Sequence, residues 1–523
     1  MQTNQTEKKV LLRISHLKQW FPVKKTTIGG EQLYVRANDD ISLDIYEGET
    51  LGLVGESGCG KSTLGRVLLQ LYHQTEGKTM YYGRTIDSLA PAYVEKTLKH
   101  LESGRAKLRE LEAKRDKLVR EYESLDETSR RAKKAEKDKA VKEAHSLFLD
   151  MAQLVGGFLA LDDLKPVSEL FLQEYRSAAA LHKMREARDL VQIDRNAVEG
   201  RRDAAKQKGK NAASLEAKLR KLDADLKARD EKIAAGEAEL AKIRTEIESL
   251  RIQNAGKGKF DEYERYRDDG IDLAKLGYKE MRQLRKDLQL IFQDPYSSLN
   301  PRMTVGQIIG EGLLAHNFFQ KNDDRMMDYV MQVMENCGLS SYMIHRYPHQ
   351  FSGGQRQRIG IARSLAVKPK FVVCDEAVSA LDVSIQSQVI NLLQDLKEQE
   401  HLTYLFITHD LSVVKYISDR IAVMYLGNVV ELARSEDLFA HPLHPYTEAL
   451  LLAIPTTDLD HRKQIVPLEG DIPSPIKPPK GCKFHTRCKY ATDLCREVVP
   501  DFVEAEPGHF VACHHILDHK VIE

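Results

Sequence analysis

The sequence predicts an α/β protein with a parallel sheet, interrupted by a long helical insertion. Residues 51–71 form an apolar run, a glycine-rich turn and a helix-like stretch, and two further apolar runs end close to Asp375 and His409. Strands that alternate with helices in this way are typical of a parallel sheet with crossover helices. The Ala-, Lys-, Glu- and Leu-rich composition of residues 91–278 indicates solvent-facing helices inserted into that fold.

The overall composition limits the function classes. A chain of 523 residues is long enough for about three domains. Lys plus Arg and Asp plus Glu both total 78, so the net charge does not indicate a nucleic-acid partner. No apolar run approaches the roughly 18 residues of a membrane span, and residues 1–9 lack the apolar core of a signal peptide. We therefore expect a soluble, cytoplasmic protein.

The turn at 55–62, GESGCGKS, fits the phosphate-binding pattern G-x-x-x-x-G-K-[ST]. Gly58 and Gly60 allow backbone N–H groups to point at phosphate oxygens, and the start of the following helix adds positive potential. Lys61 is predicted to reach the β- and γ-phosphates of ATP, and the Ser62 hydroxyl to bind Mg²⁺. The predicted nucleotide-binding residues of the loop are Gly55, Glu56, Ser57, Gly58, Cys59, Gly60, Lys61, Ser62 and Thr63.

Residues 10–50 alternate in short apolar runs, as antiparallel strands do, and carry candidates for adenine stacking. Phe21 is the favoured candidate, with Trp20 and Tyr34 as alternatives. Each of these rings could equally pack under a sheet.

Two adjacent acids follow the apolar run 371–374 and suit phosphoryl transfer to water. Asp375 is predicted to hold the Mg²⁺ shell, and Glu376 to polarise the attacking water. Gln293 is predicted to offer an oxygen to the metal or the water, and His409 a hydrogen bond to the γ-phosphate, although as isolated residues both are more often structural. The predicted catalytic residues are therefore Glu376, His409 and Gln293.

A second glycine turn at 351–355, FSGGQ, precedes an apolar-periodic helix. Its function is hard to explain within one subunit. We expect its N–H groups to cap phosphates bound to a second molecule, so that two sites close in a face-to-face dimer. The residues concerned are Ser352, Gly353, Gly354 and Gln355.

Heptad-spaced apolar residues occur in two parts of the insertion, at 108–125 and at 219–250. Two such arms predict an antiparallel coiled-coil hairpin, with the intervening residues forming a small helical head. The hairpin is interpreted as an interaction device for an unknown partner, or else as a spacer.

The C-terminal region carries four of the seven cysteines: Cys482, Cys488, Cys495 and Cys513. Four thiolates suit a tetrahedral metal or an iron–sulfur cluster. Their spacing lacks the tight C-x2-C of zinc ribbons.

In these motifs and their order the chain resembles the ATP-binding subunits of ABC transporters. GESGCGKST, FQDP, FSGGQ, FVVCDE and His409 correspond to Walker A, Q-loop, signature, Walker B and switch histidine. The D-loop corresponds to Ser379, Ala380, Leu381 and Asp382. QDPYSSLNPRMTVG and HPLHPYTEALLLAIP favour the oligopeptide/dipeptide importer branch, although position 377 is Ala where the family usually has Pro.

The resemblance implies an ABC-type ATPase with a RecA-like parallel-sheet core, an antiparallel β subdomain and a helical subdomain. The expected divisions are 1–90 and 279–435 for the ATPase, 91–278 for the insertion and 436–523 for the C-terminal region. In some members of that family the corresponding cysteines ligate a [4Fe–4S] cluster, so we expect such a cluster on the four cysteines, with zinc or unligated cysteines as the alternatives.

Several partners follow from the same resemblance. They are a second ATPase subunit, giving a heterodimer with a homodimer as the alternative, together with two transmembrane permease subunits and an extracytoplasmic binding protein. The chain would then lie on the cytoplasmic face of the cell membrane and power peptide import.

The alternative is a coiled-coil-bearing ABC ATPase that acts on DNA or ribosomes. Genome-maintenance ATPases usually have longer arms, and the hook type carries C-x-x-C at its apex, whereas residues 91–278 contain no cysteine. ABC translation factors have two ATPase cores, and this chain has one. We therefore favour the transporter.

Overall fold

The computed structural model describes residues 8–24, 32–321, 323–379, 381–454 and 470–517. The chain forms two compact units. The first, the sheet unit, comprises residues 1–83, 272–274 and 281–523, and the second, the helical unit, comprises 84–271 and 275–280. Within the described residues, no helix combines the length and the apolar character needed to cross a membrane.

The described strands, in chain order, are β1 (Val10–Pro22), β2 (Tyr34–Tyr46), β3 (Thr50–Val54), β4 (Glu76–Tyr81), β5 (Ile271–Asp272), β6 (Leu288–Ile291), β7 (Phe371–Asp375), β8 (Thr403–Ile407), β9 (Arg420–Tyr425), β10 (Asn428–Arg434), β11 (Val503–Glu506) and β12 (His509–Val511).

The described α-helices are α1 (Lys61–Leu68), α2 (Ile86–Leu89), α3 (Ala92–Lys99), α4 (Leu101–Ser124), α5 (Glu127–Val155), α6 (Lys165–Gln207), α7 (Ala213–Asn254), α8 (Phe260–Glu264), α9 (Tyr278–Leu284), α10 (Pro295–Ser298), α11 (Val305–Ala315), α12 (Asp324–Asn336), α13 (Gly353–Leu365), α14 (Val383–Glu400), α15 (Leu411–Ile417), α16 (Ser435–Ala440), α17 (Pro445–Leu452) and α18 (Asp493–Glu497).

The core of the sheet unit is an eight-stranded sheet in the order β11-β12-β10-β9-β3-β8-β7-β6. Strands β6, β7, β8, β3 and β9 run parallel, and the remaining pairings are antiparallel. Every residue of β3, β7 and β8 is buried, as expected for parallel strands covered on both faces. The predicted parallel-sheet α/β core is confirmed.

The C-terminal region continues this sheet. Strand β12 pairs with β10, where Val511 lies opposite Glu431 and Phe510 opposite Leu432. The smaller sheet, in the order β2-β1-β4-β5, is antiparallel between β2, β1 and β4. These strands correspond to the alternating apolar runs near the start of the chain.

The helical unit contains two helix pairs, α4 with α5 and α6 with α7. Helices α6 and α7 run antiparallel, as shown by the order of the ion pairs between them: Arg185–Glu237, Arg195–Asp223 and Lys206–Glu216. On α7, Leu219, Leu226, Leu240 and Ile247 are buried at multiples of the heptad spacing. The 43 residues of α6 give it a length of about 65 Å.

The predicted pairing of the arms 108–125 and 219–250 is wrong. Each arm packs mainly on a different helix, α4 on α5 and α7 on α6. Heptad periodicity indicates that a helix has an apolar seam but not which helix covers it, and the nearest helix along the chain covered it in both cases. The helical unit also begins at residue 84, before the expected boundary at 91, because α2 packs on α6.

Candidate nucleotide-binding site

The predicted site residues follow three neighbouring parallel strands. Leu53 of β3 lies opposite Ile407 of β8, and Asp375 of β7 lies opposite the same Ile407. Because parallel strands end at the same edge of a sheet, the loop after β3, Glu376 after β7 and His409 after β8 emerge together. The strand register therefore brings together residues that are more than 300 positions apart in sequence.

The phosphate loop connects β3 to α1. The Lys61 side chain is 5% exposed, and its Nζ donates to the backbone oxygens of Gly55 at 2.7 Å and Glu56 at 3.0 Å. The Asn38 side-chain Nδ2 donates to the Gly60 oxygen at 3.1 Å, which fixes the other end of the loop to β2. The loop thus surrounds the Lys61 ammonium at the first residue of α1. A positive charge at the start of a helix is the arrangement that binds anions.

The predicted metal-binding oxygens of Ser62 and Asp375 lie side by side. The Ser62 Oγ donates to the Asp375 Oδ1 at 2.6 Å, and the Arg66 guanidinium lies 3.5 Å from the other carboxylate oxygen. A hydroxyl and a carboxylate are hard oxygen ligands of the kind Mg²⁺ prefers, so these residues fit that ion. Arg66, one helical turn after Ser62, was not predicted, although its i, i+4 spacing from Ser62 would have placed it on the same face.

Glu376 is the centre of a second polar group. Its Oε2 accepts from the Gln293 Nε2 at 2.5 Å, and its Oε1 lies 3.5 Å from the His409 Nδ1. The backbone N–H of Glu376 donates to the Ile407 oxygen at 2.9 Å, which ties the residue to β8. Its φ of 48° is in the left-handed region, where a non-glycine residue costs about 1 kcal/mol or more. The structure thus brings all three predicted catalytic residues into one cluster.

The signature residues Ser352, Gly353, Gly354 and Gln355 form the start of α13. Ser352 Oγ accepts from the Gln355 N–H, and the Gln355 side chain in turn accepts from the Ser352 N–H, which makes a capping box. Within the described part of the chain, no hydrogen bond or ion pair joins these residues to the phosphate loop. The N–H groups of Ser352 and Gln355 are thus bound within the turn itself.

The D-loop follows Glu376 directly. The Ser379 hydroxyl donates to the Glu376 oxygen at 3.0 Å, and Asp382 is the N-cap residue of α14. Leu381 donates its N–H to the Val378 oxygen. Ala380 lies outside the described residues.

The adenine-stacking candidates lie on β1 and β2. Phe21 packs edge-to-face against Tyr72, with ring centroids 5.4 Å apart. Trp20 lies under the Arg36 guanidinium and donates its Nε1 hydrogen to Asp39. Trp20 is thus engaged in its own sheet, and adenine stacking on Phe21 stays a prediction.

Two further residues of the sheet unit contact the phosphate loop. The Tyr446 hydroxyl accepts the Glu56 N–H at 3.0 Å, and the Arg487 guanidinium binds the Glu56 carboxylate. Tyr446 belongs to the HPLHPYTEALLLAIP segment. In the sequence, that segment indicates only a resemblance to the importer branch and predicts no role for Tyr446. Nothing in the sequence pattern pointed to Arg487.

The four C-terminal cysteines line one cavity of about 10 Å³, together with His444 and Phe484. Burial, and then the neighbouring thiols, raise the pKa of Cys513 to about 12. The Cys513 Sγ donates to the His515 oxygen at 3.2 Å, and the cavity has room for roughly one water. Among the described residues, no group of three or more His, Cys, Asp or Glu side chains is arranged to hold a metal ion. The predicted cluster or zinc site therefore has no support in this geometry.

Comparison with known proteins gives two matching families. The family described as ABC transporter matches residues 38–158 and 263–379, and the family described as oligopeptide/dipeptide transporter, C-terminal region, matches residues 430–495. In a comparison of structures, an ATP-binding cassette dimer with bound ADP and Pi covers 81% of this chain and 99% of its own, at 15% identity and a TM-score of 0.40.

Similar curated proteins are named as transport subunits. A putative peptide import ATP-binding protein of Brucella ovis is 55% identical over 245 residues, which are 47% of this chain and 77% of that protein. The oligopeptide transport ATP-binding protein AppF of Bacillus subtilis is 51% identical over 248 residues, 47% of this chain and 75% of that protein. The chain therefore belongs to the ABC transporter family, as an ATP-hydrolysing subunit of its oligopeptide/dipeptide branch.

Proposed function

We propose that this chain hydrolyses ATP to drive peptide import across a membrane, and that Glu376 activates the attacking water. The observation that carries the proposal is the pair of adjacent acids at the end of β7. Asp375 faces the phosphate-loop Ser62, and Glu376 faces Gln293 and His409. One acid is thus placed for the metal and the other for the water.

The residues of the loop have separate parts in this scheme. Lys61 exchanges its two backbone acceptors for the phosphate oxygens when ATP enters. Ser62 and Asp375 would hold Mg²⁺, which when bound neutralises charge on the β- and γ-phosphates. Gln293 and His409 orient the Glu376 carboxylate, which accepts a proton from the water as it attacks.

The signature turn supports assembly into a dimer. The N–H groups of Gly353 and Gly354 in the first turn of α13 suit phosphates held by a second ATPase subunit, and we propose a heterodimer in which each subunit completes the other's site. In this assembly the ATPase pair is peripheral to the cytoplasmic face of the membrane and binds two permease subunits, which an extracytoplasmic binding protein supplies with peptide. We propose that the helical unit, with its long α6–α7 pair, binds a partner of unknown identity.

The Glu376→Gln variant tests the catalytic assignment. We expect ATP binding to persist and hydrolysis to fall by about 10²- to 10⁴-fold, since glutamine keeps the shape of the side chain and loses the base. Glu398→Gln, an exposed change on α14, is the matched control and should hydrolyse ATP normally. Normal turnover by Glu376→Gln would reject the role of Glu376.

Two measurements test the remaining proposals. Copurification of the chain with membrane subunits supports the importer, and ATP hydrolysis stimulated by DNA with no membrane partner would contradict it. The proposal of a [4Fe–4S] cluster or zinc rests on the sequence resemblance alone. Iron, sulfide and zinc analysis of anaerobically purified protein decides it.

A further inference from the structure

A buried arginine of the C-terminal region reaches the phosphate loop. Arg487 Nη1 donates to the Glu56 Oε2 at 2.7 Å, and its Nη2 donates to the other carboxylate oxygen at 3.0 Å. The Arg487 side chain is 4% exposed, and the two residues are 431 positions apart in sequence. A two-bond arginine–carboxylate pair fixes direction as well as distance, so Glu56 is held in one orientation.

The segment that carries Arg487 is itself tightly held. The Phe484 ring packs against the rings of Tyr425 and Tyr446, with centroids 5.2 and 5.3 Å away. Lys483 donates its Nζ hydrogens to Asp39 at 3.0 Å and to the Leu426 oxygen at 2.9 Å. Residues 482–488 therefore form a rigid support for the guanidinium.

A residue packed on this segment also binds the backbone of the phosphate loop. Tyr446, which packs on Phe484, accepts the Glu56 N–H through its hydroxyl. Both the backbone and the side chain of the second loop residue are thus bound by groups from the C-terminal third of the chain. This arrangement lies outside the Lys61, Ser62 and Asp375 contacts that bind phosphate and metal.

The charge of Glu56 explains why the pair matters for nucleotide binding. The loop has to attract phosphates, and an unpaired carboxylate at its second position would repel them. Arg487 neutralises that carboxylate. The guanidinium is 4% exposed and the Glu56 side chain 23% exposed, so water competes for this pair less than it does for a surface ion pair.

We propose that Arg487 is a positioning residue for ATP binding, through which the C-terminal segment 482–488 sets the shape and charge of the phosphate loop. This inference rests on the proposed function, because it concerns the affinity of the same site for ATP. Arg487 acts through Glu56, and its removal changes ATP affinity more than the rate of the chemical step.

The experiment uses the full chain with ATP and Mg²⁺. We expect Arg487→Met to raise the Kd and the KM for ATP by about tenfold and to leave kcat within about twofold, with a smaller defect at high salt. The double variant Arg487→Met/Glu56→Gln should return most of the affinity, because the repelling charge is gone. Arg487→Lys keeps the charge but not the two-bond geometry, so its ATP affinity should lie between those of the wild type and Arg487→Met.

Arg496→Met is the matched control, since Arg496 lies in the same region, is 64% exposed and pairs only loosely with Asp493 at 3.5 Å. Unchanged ATP affinity in Arg487→Met would overturn the inference. A double variant as weak as Arg487→Met would also overturn it, because a purely structural role gives no rescue by removing the opposite charge. Absence of ATP binding by the wild type would instead overturn the proposed function, and this inference with it.

Discussion

Alanine at Gly60 should destabilise the sheet unit much more than alanine at Gly58. Both glycines have positive φ, +104° and +80°, so a side chain at either costs about 1–2 kcal/mol of backbone strain. A Cβ at Gly60 would also lie 2.0 Å from the Ala37 oxygen and 3.0 Å from the Asn38 Nδ2, whereas at Gly58 nothing lies within 4 Å. Overpacking against a backbone oxygen adds about 1–3 kcal/mol, which gives a total of about 2–5 kcal/mol at Gly60.

Urea unfolding followed by tryptophan fluorescence measures this difference. The chain has one tryptophan, Trp20, and it lies in β1 of the same unit as both glycines. The expected result is a lower urea midpoint for Gly60→Ala than for Gly58→Ala, with the slopes unchanged. Equal loss of stability in the two variants would refute the reasoning, because strain alone would then account for both.

Two further predictions concern pH and the insertion. Burial, followed by the charges of Lys286 and Arg282, lowers the pKa of His316, so the folded state favours the neutral imidazole. The contribution of His316 to the free energy of unfolding is therefore present above its ordinary pKa of 6.5 and is lost as the pH falls below that value. His316→Gln should therefore flatten the loss of urea stability between about pH 7.5 and about pH 5.5, and an unchanged pH profile would contradict this. Joining Gly83 to Ile271 by a short linker, with residues 84–270 removed, should leave ATP hydrolysis intact, because β4 and β5 are neighbours in one sheet and the sheet unit has its own core. An insoluble product would show that this core depends on the insertion.

The sequence predicted the cluster of Glu376, His409 and Gln293 because each of them stands one or two residues after an apolar strand. The acids after Phe371–Asp375 became a strong signal only beside the phosphate loop, and the role of His409 after Thr403–Ile407 rested on the family resemblance; a parallel sheet brings such strand ends together. The distances between these side chains, such as the 2.5 Å from the Gln293 Nε2 to the Glu376 Oε2, could be obtained only from the structure.

Other features could not be read from the pattern. The Arg487–Glu56 pair depends on how residues 482–488 fold against the sheet, and an isolated arginine carries no periodic signal. The partners in the helical unit were mispredicted because the apolar seams of α4 and α7 are similar and either could cover the other. Four cysteines and the family resemblance suggested a metal site, but whether thiols that line one cavity are arranged as ligands depends on side-chain geometry, which the sequence does not contain.

The position of the insertion between β4 and β5 has a consequence for folding during synthesis. Leu53 on β3 lies opposite Ile407 on β8, and a ribosome adding about 5–20 residues per second needs roughly 20 to 70 s to make the chain between them. The α6–α7 pair needs only its own two helices and a short turn, so it can form while β3 is still without its neighbours. During that interval the apolar strand β3 lacks both of its partners in the finished sheet, β8 and β9, and an unpaired apolar strand is prone to aggregate.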